Sequence, residues 1–314
     1  MKRQQFYIGT IVLLTVVLLF SFFTKEEAGS LRVEAFGADG SDQQDDSSAI
    51  QAAIDYSYEN DKLPVQLLGK NYTLKQGLHL KEGVALEMGL ATKLLAEGDF
   101  NVVELEKKAA ITNGTIEITT PEFSRAAIYV SGQEQVWTTE RFHIENVVLY
   151  NSSGTNRGKG ISFTAGNSGE FISFVNVMSV NISGFHTGVH LQAAPPKKDG
   201  DYNFINGNRF VNLTLDDCIV CIQFDSAVTI PHEVSGNMFE NVQIQLTERT
   251  DKAMILSGTN NRIDGMIWDA SFVEDNQPLI EFIGESSGND VNMNVPKDRV
   301  TDEGQGNRYS TLEE

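Results

Sequence analysis

The feature that most restricts this chain is an imperfect repeat that begins near residue 110. Its first half-unit reads apolar-x-Asn-apolar-x-apolar, in "ITNGTI", "IENVVL", "FVNVMSV", "FVNLTL" and "FENVQI", ending in a degraded "IDGMIW". Its second half-unit is a small residue followed by apolar-x-apolar, in "AIYV", "GISF", "GVHL", "CIQF", "AMIL" and "LIEF". The asparagines Asn113, Asn146, Asn176, Asn212 and Asn241, with Gly265 closing the series, recur roughly 24–36 residues apart. Short strands in fixed order at such a period predict a solenoid, in which each coil buries its apolar positions against its neighbours. Alternation within each strand sends one set of side chains inward and the other outward. A β-sandwich is the alternative all-β fold, but evenly sized strands and tight hairpin turns are missing. Asparagines stacked from coil to coil can pair their side-chain amides. That accounts for the recurring slot, and for the Asn-x-Ser/Thr sequons at Asn71, Asn113, Asn151, Asn181 and Asn212, without a functional role.

Upstream, the stretch "FGADGSDQQDDSSAIQAAID" joins a cluster of turn formers to a helical pattern. Ala49, Ile50, Ala53 and Ile54 have helical spacing, and Asp45, Asp46 or Ser47 stands where a helix N-terminus needs a cap. The local reading of Asp45-Asp46 is therefore structural. Phe36, Gly37, Ala38, Gly40, Asp45, Asp46, Ala49, Ile50, Gln51, Ala53 and Ile54 fit, without a gap, the opening FGAxGDGxxDDTxAIQxAI. On these residues the chain resembles the pectin-lyase-like proteins, specifically the rhamnogalacturonase/epimerase-like pectate lyase domain. Ser41 and Asp42 depart from the usual Asp-Gly, and Ser47 replaces Thr. "LPVQLLGKNYTLKQGLHLKEGVALEMG" extends the likeness over roughly residues 31–100. The resemblance implies an all-β, right-handed parallel β-helix with a short N-terminal capping helix, and places the opening motif in the cap rather than in a catalytic site.

Phe6 to Phe23 is an apolar run of about 18 residues, long enough for a marginal membrane span. Lys2 and Arg3 precede it, so the positive-inside rule puts the N-terminus in the cytoplasm and the rest outside. No small-x-small cleavage site follows, which favours an uncleaved anchor over a secreted product. The expected layout is a cytoplasmic end at 1–5, a transmembrane anchor or uncleaved signal at 6–24, a β-helix ectodomain at 31–285 with its cap at 31–60, and a polar tail at 286–314. The formal net charge of −19 argues against nucleic acid as a partner and repels anionic polysaccharide unless Ca²⁺ bridges carboxylates. Cys218 and Cys221 form a C-x-x-C without a second cysteine pair or the helix start that lowers a thiol pKa, so both are expected as small core or turn residues.

Asp216-Asp217-Cys218-Ile219 is similar to the polygalacturonase segment whose two aspartates do acid–base work, but the repeat register argues against the carry-over. There the pair immediately precedes the small-Ile-x-Ile half-unit; here those slots hold Ile219 and Val220. The outward position of each second half-unit gives a better candidate: a column of Tyr129, Ser162, His190, Gln223, Ile255 and Glu281, flanked by Thr164, Gln192, Asp225 and Ser257. Arg157 and Lys159 lie in the turn before one of these strands, and the excursion Gln192–Gly207 follows another. A lyase needs a base at the sugar C5 and a group to neutralise the uronate. The candidate catalytic residues are accordingly His190, Asp225 and Lys159. The candidate substrate contacts are Tyr129, Arg157, Ser162, Gln192 and Gln223. Asp217 and Asp225 are the candidate Ca²⁺ ligands. Trp137 and Trp268 are candidates either for stacking on sugars or for packing in the core or at a groove edge. The expected function is a membrane-anchored extracellular β-helix that acts on polysaccharide as a lyase or epimerase, or else a non-catalytic glycan-binding or scaffold ectodomain. The partner is expected to be a polysaccharide or cell-surface glycan.

Overall fold

The structure is a computed structural model that describes residues 29–137, 142–198, 200–226 and 233–311. The apolar run at 6–24 lies outside the described residues. Among those described, no helix is long and apolar enough to cross a membrane.

Every strand pairing between successive coils is parallel, and the chain winds through up to four short strands per coil as a parallel β-helix. A central coil runs His143–Glu145, Val148–Asn151, Lys159–Ala165 and Phe171–Ser173. Each strand pairs with its equivalent one coil on: His143 with Asn176, Val148 with Asn181, Lys159 with Thr187 and Phe171 with Phe204. We name the four resulting sheets the first to fourth ladders, in chain order within a coil. Right-handed crossover between parallel strands follows from strand twist.

The inward residues build one continuous core from Val33 to Val295. Phe210 and Phe239 stack with centroids 4.2 Å apart and planes at 7°, one coil above the other. Each such ring contributes about 1.5–3 kcal/mol through burial. The small residue that opens each second half-unit is fixed by space. A Cβ at Gly188 would meet Cys221 O at 2.6 Å and the Leu215 side chain at 3.1 Å. Cys218 and Cys221 are both fully buried there with free thiols, and the neighbouring Cys218 together with burial pushes the Cys221 thiol well up.

The expected helix spans Ser47–Glu59 and buries Ile50, Ala53 and Ile54. Asp46 occupies the N-cap position but makes no capping bond. Its Oδ1 instead accepts from Asp39 N at 2.7 Å and its Oδ2 from Thr73 N at 3.3 Å, which ties the turn to the first coil. Asp45 Oδ1 accepts from Ser47 N and Lys75 N. The pair therefore stitches the cap to the solenoid. Gln51 closes the open edge of the third ladder: its Oε1 accepts from His79 N at 2.8 Å and its Nε2 donates to His79 O at 3.1 Å. An uncovered strand edge would otherwise present these groups for pairing with another chain.

Two parts of the expected layout change. Asn176 does not occupy the ladder slot; Ser179 does, with φ 54° beside Asn113, Asn146, Asn212 and Asn241 at φ 54–62°. "VMSV", rather than "FVNV", aligns with "IENV", because Val177 pairs with Ile144. The expected polar tail at 286–314 is solenoid through Thr311. Asp290–Met293 and Arg308–Thr311 extend the first ladder, and Val300–Asp302 extends the third. A second asparagine ladder, buried up to its last member, holds this end together. Asn208, Asn237, Asn261 and Asn289 each donate from Nδ2 to Oδ1 of the next, ending on Asn307, at 2.9–3.0 Å. The same oxygens accept backbone N–H groups, so each buried amide is satisfied several times over.

Candidate functional site

The third ladder sets the candidate residues in register. Tyr129 pairs with Ser162, Ser162 with His190, His190 with Gln223, Gln223 with Ile255 and Ile255 with Glu281. The row continues to Glu104 and His79 on one side and to Thr301 on the other. A parallel row runs Ser131, Thr164, Gln192 and Asp225. Ser257 does not join it. A register shift between Leu256 and Gly258 turns Ser257 inward, where its Oγ donates to Phe224 O and accepts from Ser226 N.

At the centre of the two rows, His190 Nε2 lies 2.7 Å from Asp225 Oδ2, and Gln223 Nε2 donates to Asp225 Oδ1 at 3.0 Å. The expected side-by-side grouping is present, but His190 is not exposed: 4 % of its surface is accessible. Neighbouring coils flank its ring at about 4.8 Å on each side, and Asp225 closes over Nε2. His190 Nδ1 is buried without a protein partner. Burial pushes the Asp225 carboxyl up, but hydrogen bonds from His190 and Gln223, with the charges of His190 and Lys159, outweigh it and hold the group below its ordinary value. Ser162 is likewise buried, and burial pushes the Tyr129 phenol up. Gln192 is exposed.

At the start of these strands Arg157, Lys159 and His186 line a shallow depression of about 300 Å³ floored by Phe123. Gly158 is required there, at φ 70°, because a Cβ would meet the Phe123 ring at 2.3 Å.

The two candidate Ca²⁺ ligands do not meet. Asp217 precedes and Asp225 nearly ends the strand Val220–Ser226, so their backbones are separated by roughly 20 Å or more at strand rise. Asp217 is already engaged, accepting from Thr247 Oγ1 at 2.7 Å and Arg249 Nη1 at 3.2 Å, while Arg249 also donates to Asn156 Oδ1 at 2.6 Å. Among the described residues no three His, Cys, Asp or Glu side chains converge as a metal site. Asp216 ends the second-ladder strand Thr214–Asp216 and accepts from Ser183 Oγ, away from the third-ladder rows. The polygalacturonase-type use of this pair therefore has no geometric support.

Sequence reasoning missed an aromatic cluster on the fourth ladder. Phe171 and Phe204 stack at 5.0 Å, Tyr202 stacks on Phe204 at 5.6 Å, and Trp137 meets Phe174 edge-on at 5.1 Å. The signal was the shared "FI" of "EFIS" and "NFIN", one repeat apart. Trp268 lies elsewhere, on the strand Arg262–Trp268, where its Nε1 donates to Gln243 Oε1.

The sequence matches no established protein-family profile and no curated protein. Among solved structures, ORF18 of Geobacillus virus E2 superposes with a TM-score of 0.55 at 12% identity, over 89% of this chain and 60% of that one. This chain thus spans about three-fifths of that relative. That likeness bears on the fold alone, a parallel β-helix, which is what the opening motif implies. More distant alignments include the A-module of the mannuronan C-5 epimerase AlgE6 from Azotobacter vinelandii, at 12% identity, TM-score 0.36, over 90% of this chain and 100% of that one. A family 28 exopolygalacturonase from Yersinia enterocolitica aligns at 11% identity, TM-score 0.39, over 90% and 77%. Neither bears on what this chain does.

Proposed function

We propose that the protein binds polysaccharide along the outward face of the third ladder, with the sugar chain running parallel to the solenoid axis. The observation that carries this reading is the pair of polar rows in register, centred on His190, Gln223 and Asp225. Coil spacing of about 4.8 Å is close to the length of one sugar residue in an extended chain. Hydroxyls, amides and a carboxylate therefore recur in step with sugar hydroxyls. Arg157 and Lys159 would contact the chain at one edge of this face, and Tyr129 and Gln192 along it, with the buried Ser162 beneath them. With residues 6–24 as a membrane anchor, the face would be displayed outside the cell.

A second reading, turnover of the lyase or epimerase kind, is favoured by one observation: a half-exposed carboxylate held ionised against a buried imidazole. Asp225 would take the proton, His190 would position it, and Lys159 would offset substrate charge. Ca²⁺, if used, would enter between substrate and Asp225 alone. The test is to incubate the full-length protein with a panel of polysaccharides, with and without Ca²⁺. Saturable binding lost in Asp225→Asn supports the face, and ultraviolet absorbance from unsaturated products supports turnover. No binding by any polysaccharide sinks both readings.

A further inference from the structure

The outside corner between the first and second ladders is an open groove of about 630 Å³ that crosses successive coils lengthwise. Its concavity follows from local backbone. Asn113, Asn146 and Ser179, each with φ between 54° and 62°, turn the chain from one strand into the next within one or two residues. The bend therefore recurs at the same place in each of these coils.

Three features of this groove point to one ligand class. Glu87 pairs in register with Thr112, and Thr112 with Glu145, so two carboxylates lie on one outward row two coils apart, roughly 10 Å. Among the described residues neither takes part in an ion pair. Next to them the outer amide ladder is broken. Asn146 Nδ2 donates to Asn113 Oδ1 at 2.7 Å, but Ser179 takes the following slot, and the next amide pair is Asn212 with Asn241. Asn113 Nδ2 and Asn146 Oδ1 are left as a donor and an acceptor lining the groove. Leu68, 40 % exposed, supplies an apolar wall at one end.

We propose that this corner groove is a second glycan site, selective for an amino-sugar chain of the β-1,4-linked glucosamine type lying along the solenoid axis. In a two-fold extended β-1,4 chain, alternate residues present their amino groups on the same side, at nearly the two-coil spacing that separates Glu87 from Glu145. Each ammonium then makes a charge-assisted bond to one carboxylate. The Asn113 and Asn146 amides take sugar hydroxyls between them, and Leu68 meets the C–H face of a terminal ring. The strongly acidic chain favours a cationic partner over an anionic one at long range. The site shares no residue with the third-ladder face and does not rest on its function.

The probe is a glucosamine hexamer titrated calorimetrically into the full-length protein in detergent, at a pH where the amines are charged. Saturable binding that weakens with salt is expected. The double variant Glu87→Gln, Glu145→Gln should weaken it about tenfold or more, and Asn146→Ala should weaken it less. Asp225→Asn should leave it unchanged, which separates this site from the third-ladder face. The proposal is overturned if the hexamer does not bind, if the double variant with an unchanged melting temperature binds as well as wild type, or if uncharged cellohexaose binds equally.

Discussion

Asp225 Oδ2 lies 2.7 Å from His190 Nε2 although the two residues are 35 positions apart in the chain. One coil of the solenoid separates them. The contact exists because Gln192 and Asp225 are register partners, which sets the carboxylate diagonally across from the imidazole.

This pair gives a pH signature. The Asp225 carboxyl is held below its ordinary value, so its stabilising contribution is complete above the unfolded carboxylate value, about 4, and is lost as pH falls through the folded one. Asp225→Asn should lower stability at neutral pH by about 1 kcal/mol or less, given its exposure to solvent. It should also flatten the acid limb of the stability curve. Denaturant titrations of both proteins from neutral to acid pH check this, and an unchanged acid limb would mean the contact is not formed in solution.

Asp46 has the opposite sign. Burial raises its carboxyl, so ionisation costs the folded state, yet both oxygens hold backbone N–H groups. Asp46→Ala should leave those donors unmatched and cost about 1–3 kcal/mol. Polysaccharide affinity should stay as it was. Loss of binding in a fully stable variant would return the opening motif to the list of functional residues.

The two asparagine ladders should respond unequally. Asn261→Ala removes an acceptor for Asn237 N and Nδ2 and a donor to Val234 O and Asn289, all buried. A loss of at least about 3 kcal/mol is expected. Asn146→Ala removes one exposed amide bond and gives up little by way of packing, so about 1 kcal/mol or less is expected. Thermal unfolding of the two single variants is the measurement, and equal losses would contradict the burial difference.

Cys218 and Cys221 should resist a thiol reagent in the native protein and react at the rate of global unfolding. They are fully buried, and the Cys221 thiol is pushed away from ionisation. Rapid labelling without denaturant would show that the solenoid opens locally at this coil.

What could be read from the sequence divides along the reach of its local rules. Strand parity is local, so the outward column from Tyr129 to Glu281 could be written down once the half-units were aligned. The capping helix carried its own periodicity. Ser257 was misplaced because a register shift at that residue leaves no mark in an apolar-x-apolar pattern. Asn176 was misplaced because "FVN" occurs twice, and only the pairing of Val177 with Ile144 tells the two apart. The C-terminal coils were hidden by composition. Their key residues are asparagines, which are rarely buried, and "GNDV" and "GNRY" look like turns until each Nδ2 is seen to meet the next Oδ1. Arg249 claims Asp217 from 32 residues away, a partnership no spacing rule anticipates.

The ladder from Asn208 to Asn307 is directional: every amide gives its hydrogen toward the C-terminal end and receives from the N-terminal side. Such a chain of aligned dipoles polarises in one sense, so each bond strengthens the next. The two ends of the row are therefore not equivalent. Removing the last coil leaves Asn289 with only Gly258 O to donate to and weakens every bond behind it, whereas losing Asn208 takes one donor from Asn237 Oδ1 and leaves every later donor its acceptor. Along this row, loss therefore propagates from the C-terminal end, like a zip fastened at the other.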